Sequence, residues 1–183
     1  MFEKYLIQHC SPTLASLKTA ALFSIPCTDK AILYRDIVEW NRKLSSKGIS
    51  LLILRESDGK ALIYVCRMSQ LSADLRRQGV ADFLRSYGYK STNAVYALIH
   101  LRLRLSESKD FPHEIGIFLG YPLGDVTGFI ENKGKNSKYC GCWKVYCNEC
   151  ETVKRFDEFD KCKSVYMRQW NDGFSVRQLT AKG

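Results

Sequence analysis

The sequence predicts an α+β (mixed α/β) fold: a small sheet containing an antiparallel hairpin, with helices packed on it. Two observations carry this. Residues 49–55 (ISLLILR) and 61–67 (ALIYVCR) are apolar runs of strand length joined by ESDGK, and the Asp58-Gly59 pair inside that linker is a strong hairpin turn signal. Around them lie longer segments whose apolar residues recur at helical spacing, so helices alternate with strands while the hairpin itself is antiparallel.

The elements follow in chain order. Residues 18–25 (KTAALFSI) read as a short buried strand ended by Pro26. Thr28 or Asp29 caps a helix running to about Ser46, with Ile32, Leu33, Ile37, Trp40 and Leu44 on one side and Gly48 beyond its end. After the hairpin, a helix is expected from Ser69 to Ser86 with Gly79 as its weak point, then a second over 92–106 that is apolar on most sides and so expected to be largely buried. Ile115 to Leu119 is an apolar run of strand length. Pro122 stands at the first turn of a helix that reaches Asn132. Lys133 to Ser137 is a polar loop, Trp143 to Tyr146 a short strand, and 148–170 a long helix with Val153, Phe156, Phe159, Val165 and Tyr166 inward. Ser175 to Leu179 is expected as an edge strand.

At 183 residues the chain suits a single domain, 1–183, able to bury a core without disulfides or metal to hold it. A hydrophobic fraction of 45% and a charged fraction of 26% are ordinary for a globular protein, and no run approaches the roughly 20 apolar residues of a membrane span. The opening MFEKYLIQHCSP lacks a basic stretch leading into a long apolar run, which argues against a signal peptide. The eight cysteines are then expected as reduced thiols in the cytoplasm.

The net charge of +9 suggests an anionic partner. The excess lies in residues 1–110, with 17 Lys and Arg against 10 Asp and Glu. Across 67–104 the basic residues Arg67, Arg76, Arg77, Arg85, Lys90, Arg102 and Arg104 are scattered, not clustered in a run. They lack the interleaved aromatics of a nucleic-acid module.

Candidate chemistry concentrates in Phe111–Cys150. His113 and Glu114 are adjacent, and an imidazole with a carboxylate to orient it is a common acid–base pair, although neighbours on a strand point to opposite faces. Cys10, beside His9 and close before Pro12, is a candidate nucleophile that would form a Cys–His pair if it met His113; the competing reading is a small buried hydrophobe. Cys140, Cys142, Cys147 and Cys150 form CxC-x4-CxxC, a set of thiolates that zinc or iron could use. Only four residues separate the two pairs, and the WKVY strand between them would carry Cys142 and Cys147 apart. Gly116, Gly120, Gly124 and Gly128 recur every fourth residue, either to bring backbone N–H groups to an anion or, more simply, to allow turns and close packing.

The stretches HCSPTLASLKTAALF (9–23), YVCR (64–67), FPHEIGIFLGYPLGDVTGFIENKG (111–134) and WKVY (143–146) resemble a family of uncharacterised bacterial proteins, a domain of unknown function found in anaerobic Firmicutes. The resemblance covers nearly the whole chain. It implies no activity, but that family's genes tend to lie near flavodoxin and iron-handling genes, which points to iron or redox physiology. The four-cysteine set departs from the family's pattern around WKVY.

The leading expectation is a cytoplasmic small-ligand-binding protein or a thiol- and histidine-dependent enzyme, with a pocket from 9–13 and 111–125. Cys10 is its thiol, His113 its acid–base or ligand group, and Glu114 its orienting carboxylate. One alternative is a non-catalytic binder that engages an acidic protein, such as a flavodoxin, through the basic 67–104 region. The other is a metal-binding protein built on the cysteine cluster.

Overall fold

The computed structural model describes residues 2–107 and 110–182. Its centre is a three-stranded antiparallel sheet in the order β1 (Ala20–Pro26), β3 (Lys60–Arg67), β2 (Ile49–Ser57). The hairpin forms as expected. Asp58 and Gly59 both take positive φ, 51° and 69°, the backbone that a two-residue turn needs to follow the twist of its strands. Ile53 pairs with Ile63, the register then slips, and Arg55 faces Leu62. The outer edge of β2 is partly closed at Leu51, whose N–H and C=O both bond the Asn41 side chain at 2.8 and 2.9 Å.

Strand alternation sends one set of side chains to each face of the sheet. Ala21, Phe23 and Ile25 of β1, with Ile63 and Val65 of β3, join a core made by α1 (Phe2–Leu14) and α2 (Lys30–Leu44), against which residues of α8 (Glu149–Asn171) and α9 (Val176–Leu179) also pack. Ala20, Tyr64 and Cys66 join the opposite core with α3 (Met68–Asp74), α4 (Val80–Ser86), α5 (Ala94–Glu107), α6 (Ile115–Phe118) and α7 (Leu123–Glu131). The sheet is thus sandwiched between two helical layers. A third small cluster of Trp143, Val145, Phe156 and Phe159 forms where the short hairpin β4–β5 (Tyr139–Cys140, Lys144–Val145) meets α8.

Helix α2 begins where expected, with the Asp29 carboxylate accepting from the Ala31 and Ile32 N–H groups at 2.8 and 3.2 Å. A single 3-10 turn (Ser45–Lys47) follows it, and Gly48 at φ 75° ends that turn. Helix α1 extends past Pro12, which lies in its last turn and leaves the Gln8 carbonyl without its usual i+4 donor.

Four expectations are corrected. The helix anticipated over 69–86 is two, α3 and α4, because Gly79 at φ 80° breaks the chain between them. Helix α5 is buried along Ala94, Ala97, Leu98, Leu101 and Leu105, but Val95, Tyr96, Ile99 and Leu103 are exposed, so it is not largely buried. Ile115–Leu119 is not a strand but the short helix α6; every side chain in it is buried, and a fully buried short run has no periodicity to separate strand from helix. Ser175–Leu179 is likewise not an edge strand. Ser175 and Gln178 form a reciprocal capping box that starts α9.

Two buried polar groups tie the layers. Tyr64 donates from the sheet to the Phe118 carbonyl at 2.5 Å. Arg67 is 1% exposed, and its guanidinium donates to the carbonyls of Thr13, Leu14, Lys47 and Ala181 at 2.7–3.0 Å. One side chain thereby closes the end of α1, the turn after α2 and the C-terminal tail.

Candidate functional site

A cleft of about 320 Å³ opens between the α6–α7 unit and the β4–β5 hairpin. It exists because the hairpin is held against α7 by one buried carboxylate. Asp125, in the first turn of α7, accepts from Trp143 Nε1 at 2.8 Å, from the Tyr146 and Cys147 N–H groups at 2.7 and 2.8 Å, and from the Cys147 thiol at 3.2 Å. Gly124 and Gly128, one turn apart on α7, let the hairpin come close. A Cβ on Gly128 would stand 2.6 Å from the Tyr146 side chain. Gly120, at φ 78°, ends α6 where a Cβ would strike Thr19 and Asp74. The glycine set therefore serves turns and close packing, the simpler of its two readings.

Aromatic rings wall the cleft. Phe111, His113 and Phe129 stand on one side, and Tyr121 stacks on Trp143 at 4.4 Å on the other. The His113 ring lies 5.0 Å from that of Phe129 and 6.3 Å from that of Phe111. Cys140, Cys142 and Lys144 also line it. The two halves of Phe111–Cys150, which the spacing separates into a His-Glu part and a cysteine part, thus meet around one cavity. A smaller cavity of about 230 Å³ adjoins the cleft and shares Leu22, Leu119, Tyr121 and Cys142 with it.

The three residues expected to act together are placed apart. His113 lines the cleft. Glu114 is fully buried and turned away: its Oε1 accepts from Arg104 Nε and from the Tyr89 hydroxyl at 3.2 Å, so it cannot orient His113. Cys10 lies in the core on the other face of the sheet, packed within the α1–α2 layer. Of the 9–13 wall, His9 and Pro12 reach the smaller cavity. Cys10 is enclosed in apolar surroundings, and burial pushes its thiol well above its ordinary value; Cys66 is pushed up to about 12 by the same cause.

The cysteine cluster is spread out. Cys140, Cys142 and Cys150 are exposed, while Cys147 is half-buried against Asp125, with burial and that hydrogen bond pushing its thiol up to about 11. Among the described residues no three His, Cys, Asp or Glu side chains are grouped to hold a metal ion. In titration with 5,5′-dithiobis(2-nitrobenzoate) at pH 8 the folded protein is expected to react quickly at Cys140, Cys142 and Cys150. Cys10 and Cys66 should react only after denaturation. Rapid labelling of Cys10, read by peptide mass spectrometry, would contradict its placement in the core.

The basic 67–104 set is also divided. Arg67 is buried, Arg104 is bonded to Glu114, and Arg77 and Arg85 pair with Asp74 and Asp82 at 2.7 and 2.6 Å. Arg76, Lys90 and Arg102 are exposed. Among the described residues no helix is long and apolar enough to cross a membrane.

Two features of the site escaped sequence reasoning. Asp125 carries no local signal of its role, since its partners lie 18 to 22 residues away. Trp143, read as the start of a short strand, is buried and forms a wall of the cleft.

Fold and site together define an α+β protein with an aromatic cleft beside its sheet, a class set by architecture and not by a known reaction. The chain belongs to the family described as protein of unknown function (DUF3793), whose model matches residues 6–180. This agrees with the resemblance to an uncharacterised family that the motifs carry. No curated protein and no solved structure matches the chain.

Proposed function

We propose that this protein binds a small, largely apolar or aromatic ligand in the cleft between α6–α7 and the β4–β5 hairpin. The observation that carries the reading is the lining itself: Phe111, His113, Tyr121, Phe129 and Trp143 surround about 320 Å³. That volume falls within the roughly 300–1,000 Å³ usual for small-molecule sites, where apolar walls supply affinity and a few polar groups fix orientation. His113 is the polar group best placed for the second task. With Cys10 and Glu114 in other surroundings, His113 acts here as a binding contact and not as part of a thiol–histidine pair. The eight unpaired thiols support a cytoplasmic setting, and the family match along almost the whole chain supports a single domain.

The neutral fluorophore N-phenyl-1-naphthylamine tests this. Its emission is expected to rise saturably with protein, and Phe129→Ser is expected to weaken binding by roughly tenfold, the worth of one well-packed ring. Non-saturable emission, or equal binding by a folded Phe129→Ser variant, would remove the cleft as the site.

A further inference from the structure

Next to the cleft, across Tyr121 and Cys142, lies the smaller cavity of about 230 Å³. Its polar lining includes two lysines and an imidazole. His9 comes from α1, Lys18 from the α1–β1 connection and Lys163 from α8, and among the described lining residues there is no Asp or Glu. The Lys18 ammonium forms no ion pair or hydrogen bond among the described residues; its Nζ stands 5.3 Å from the centre of the Tyr121 ring. Lys163 has a partner, Asp160 at 3.0 Å, but this is an exposed pair one helical turn apart on α8, of the kind that contributes little and rearranges readily. Partial burial, then the like charges of Lys163 and Arg155, hold the Lys18 ammonium below its ordinary pKa, against the pull of Cys142 and Cys10. Burial and Lys163 lower His9 in the same way. Two lysines gathered in a concave, partly desolvated space whose described lining holds no carboxylate focus a positive potential there, and a bound anion relieves their repulsion.

We propose that this cavity is an anion subsite continuous with the aromatic cleft, and that the ligand is an amphipathic organic anion. The apolar body lies between Phe129 and Trp143, and a carboxylate, sulfonate or phosphate head lies between Lys18, Lys163 and His9. The two cavities share Leu22, Leu119, Tyr121 and Cys142 in their linings, which places the head subsite directly beside the cleft that takes the body. The proposal rests on the small-ligand reading for the body of the ligand, whereas the head subsite stands on its own residues.

A matched pair of fluorophores separates the two. 8-Anilinonaphthalene-1-sulfonate carries the same ring system as N-phenyl-1-naphthylamine plus one negative charge. The full-length chain is expected to bind the anionic probe roughly tenfold more tightly than the neutral one, as two partly screened cations allow. Lys18→Gln combined with Lys163→Gln should bring the anionic probe to about the neutral probe's affinity and leave the neutral probe unchanged. Lys163→Gln alone, at a half-buried position on α8, should remove part of the preference and serves if the double variant does not fold. Equal affinity for both probes in the unmodified protein would overturn the anion subsite and leave the cleft standing. A preference that persists in folded Lys163→Gln and double variants would overturn the assignment to these lysines. Failure to bind either probe would overturn both readings.

Discussion

Replacing Arg67 with methionine is expected to destabilise the protein by about 3–5 kcal/mol, because four carbonyls lose a charged donor at once in a site too buried for water to replace it. Methionine fills similar volume, so the loss reflects the hydrogen bonds and not a cavity. Among the described residues the guanidinium has no carboxylate partner; it bonds carbonyl ends of α1, of the turn after α2 and of the tail at Ala181. Arg67→Lys should recover little, since one ammonium cannot reach four acceptors arranged around a planar fork. Urea unfolding monitored by far-ultraviolet circular dichroism measures this. A shift below 1 kcal/mol would mean that Arg67 does not join these three chain ends.

Asp125→Ala is expected to release the β4–β5 hairpin from α7 and abolish ligand binding in the cleft. The change leaves Trp143 Nε1 and the Tyr146 and Cys147 N–H groups without their shared acceptor, which costs on the order of 3 kcal/mol. Asp125→Asn should be almost as harmful. An amide turns one acceptor oxygen into a donor, and that NH₂ would face N–H groups. The local nature of the effect gives a clear signature. Trp143 emission should shift toward that of a solvated indole while the β1–β3–β2 sheet keeps its hydrogen-exchange protection. Trp40→Phe and Trp170→Phe in the background isolate that signal. If probe binding and Trp143 emission are unchanged in Asp125→Ala, the carboxylate does not hold the hairpin.

What could be read in advance was local in origin. The Asp58-Gly59 turn, the Asp29 cap, Gly48 and the helix after Pro122 are each specified by a few neighbouring residues, and all appear in the fold. The errors fell where local rules have nothing to compare. Ile115–Leu119 is buried on every side, so only the packing of α6 against Tyr64 and α7 makes it a helix. Ser175–Leu179 did carry a local signal, the Ser175/Gln178 capping box, which an expectation of an edge strand passed over.

The candidate site divides along the same line. The sequence by itself determined the family, the α+β class, the main hairpin, and the segment Phe111–Cys150 as the place to look, because motif, turn chemistry and periodicity are properties of adjacent residues. Only the tertiary structure decided which side chains meet. It placed Cys10 and His113 on different faces of the sheet, turned Glu114 to Arg104, and gave Asp125 and Arg67 partners 18 to 114 residues away. A residue's layer follows from strand alternation and long-range packing, and no spacing along the chain records it.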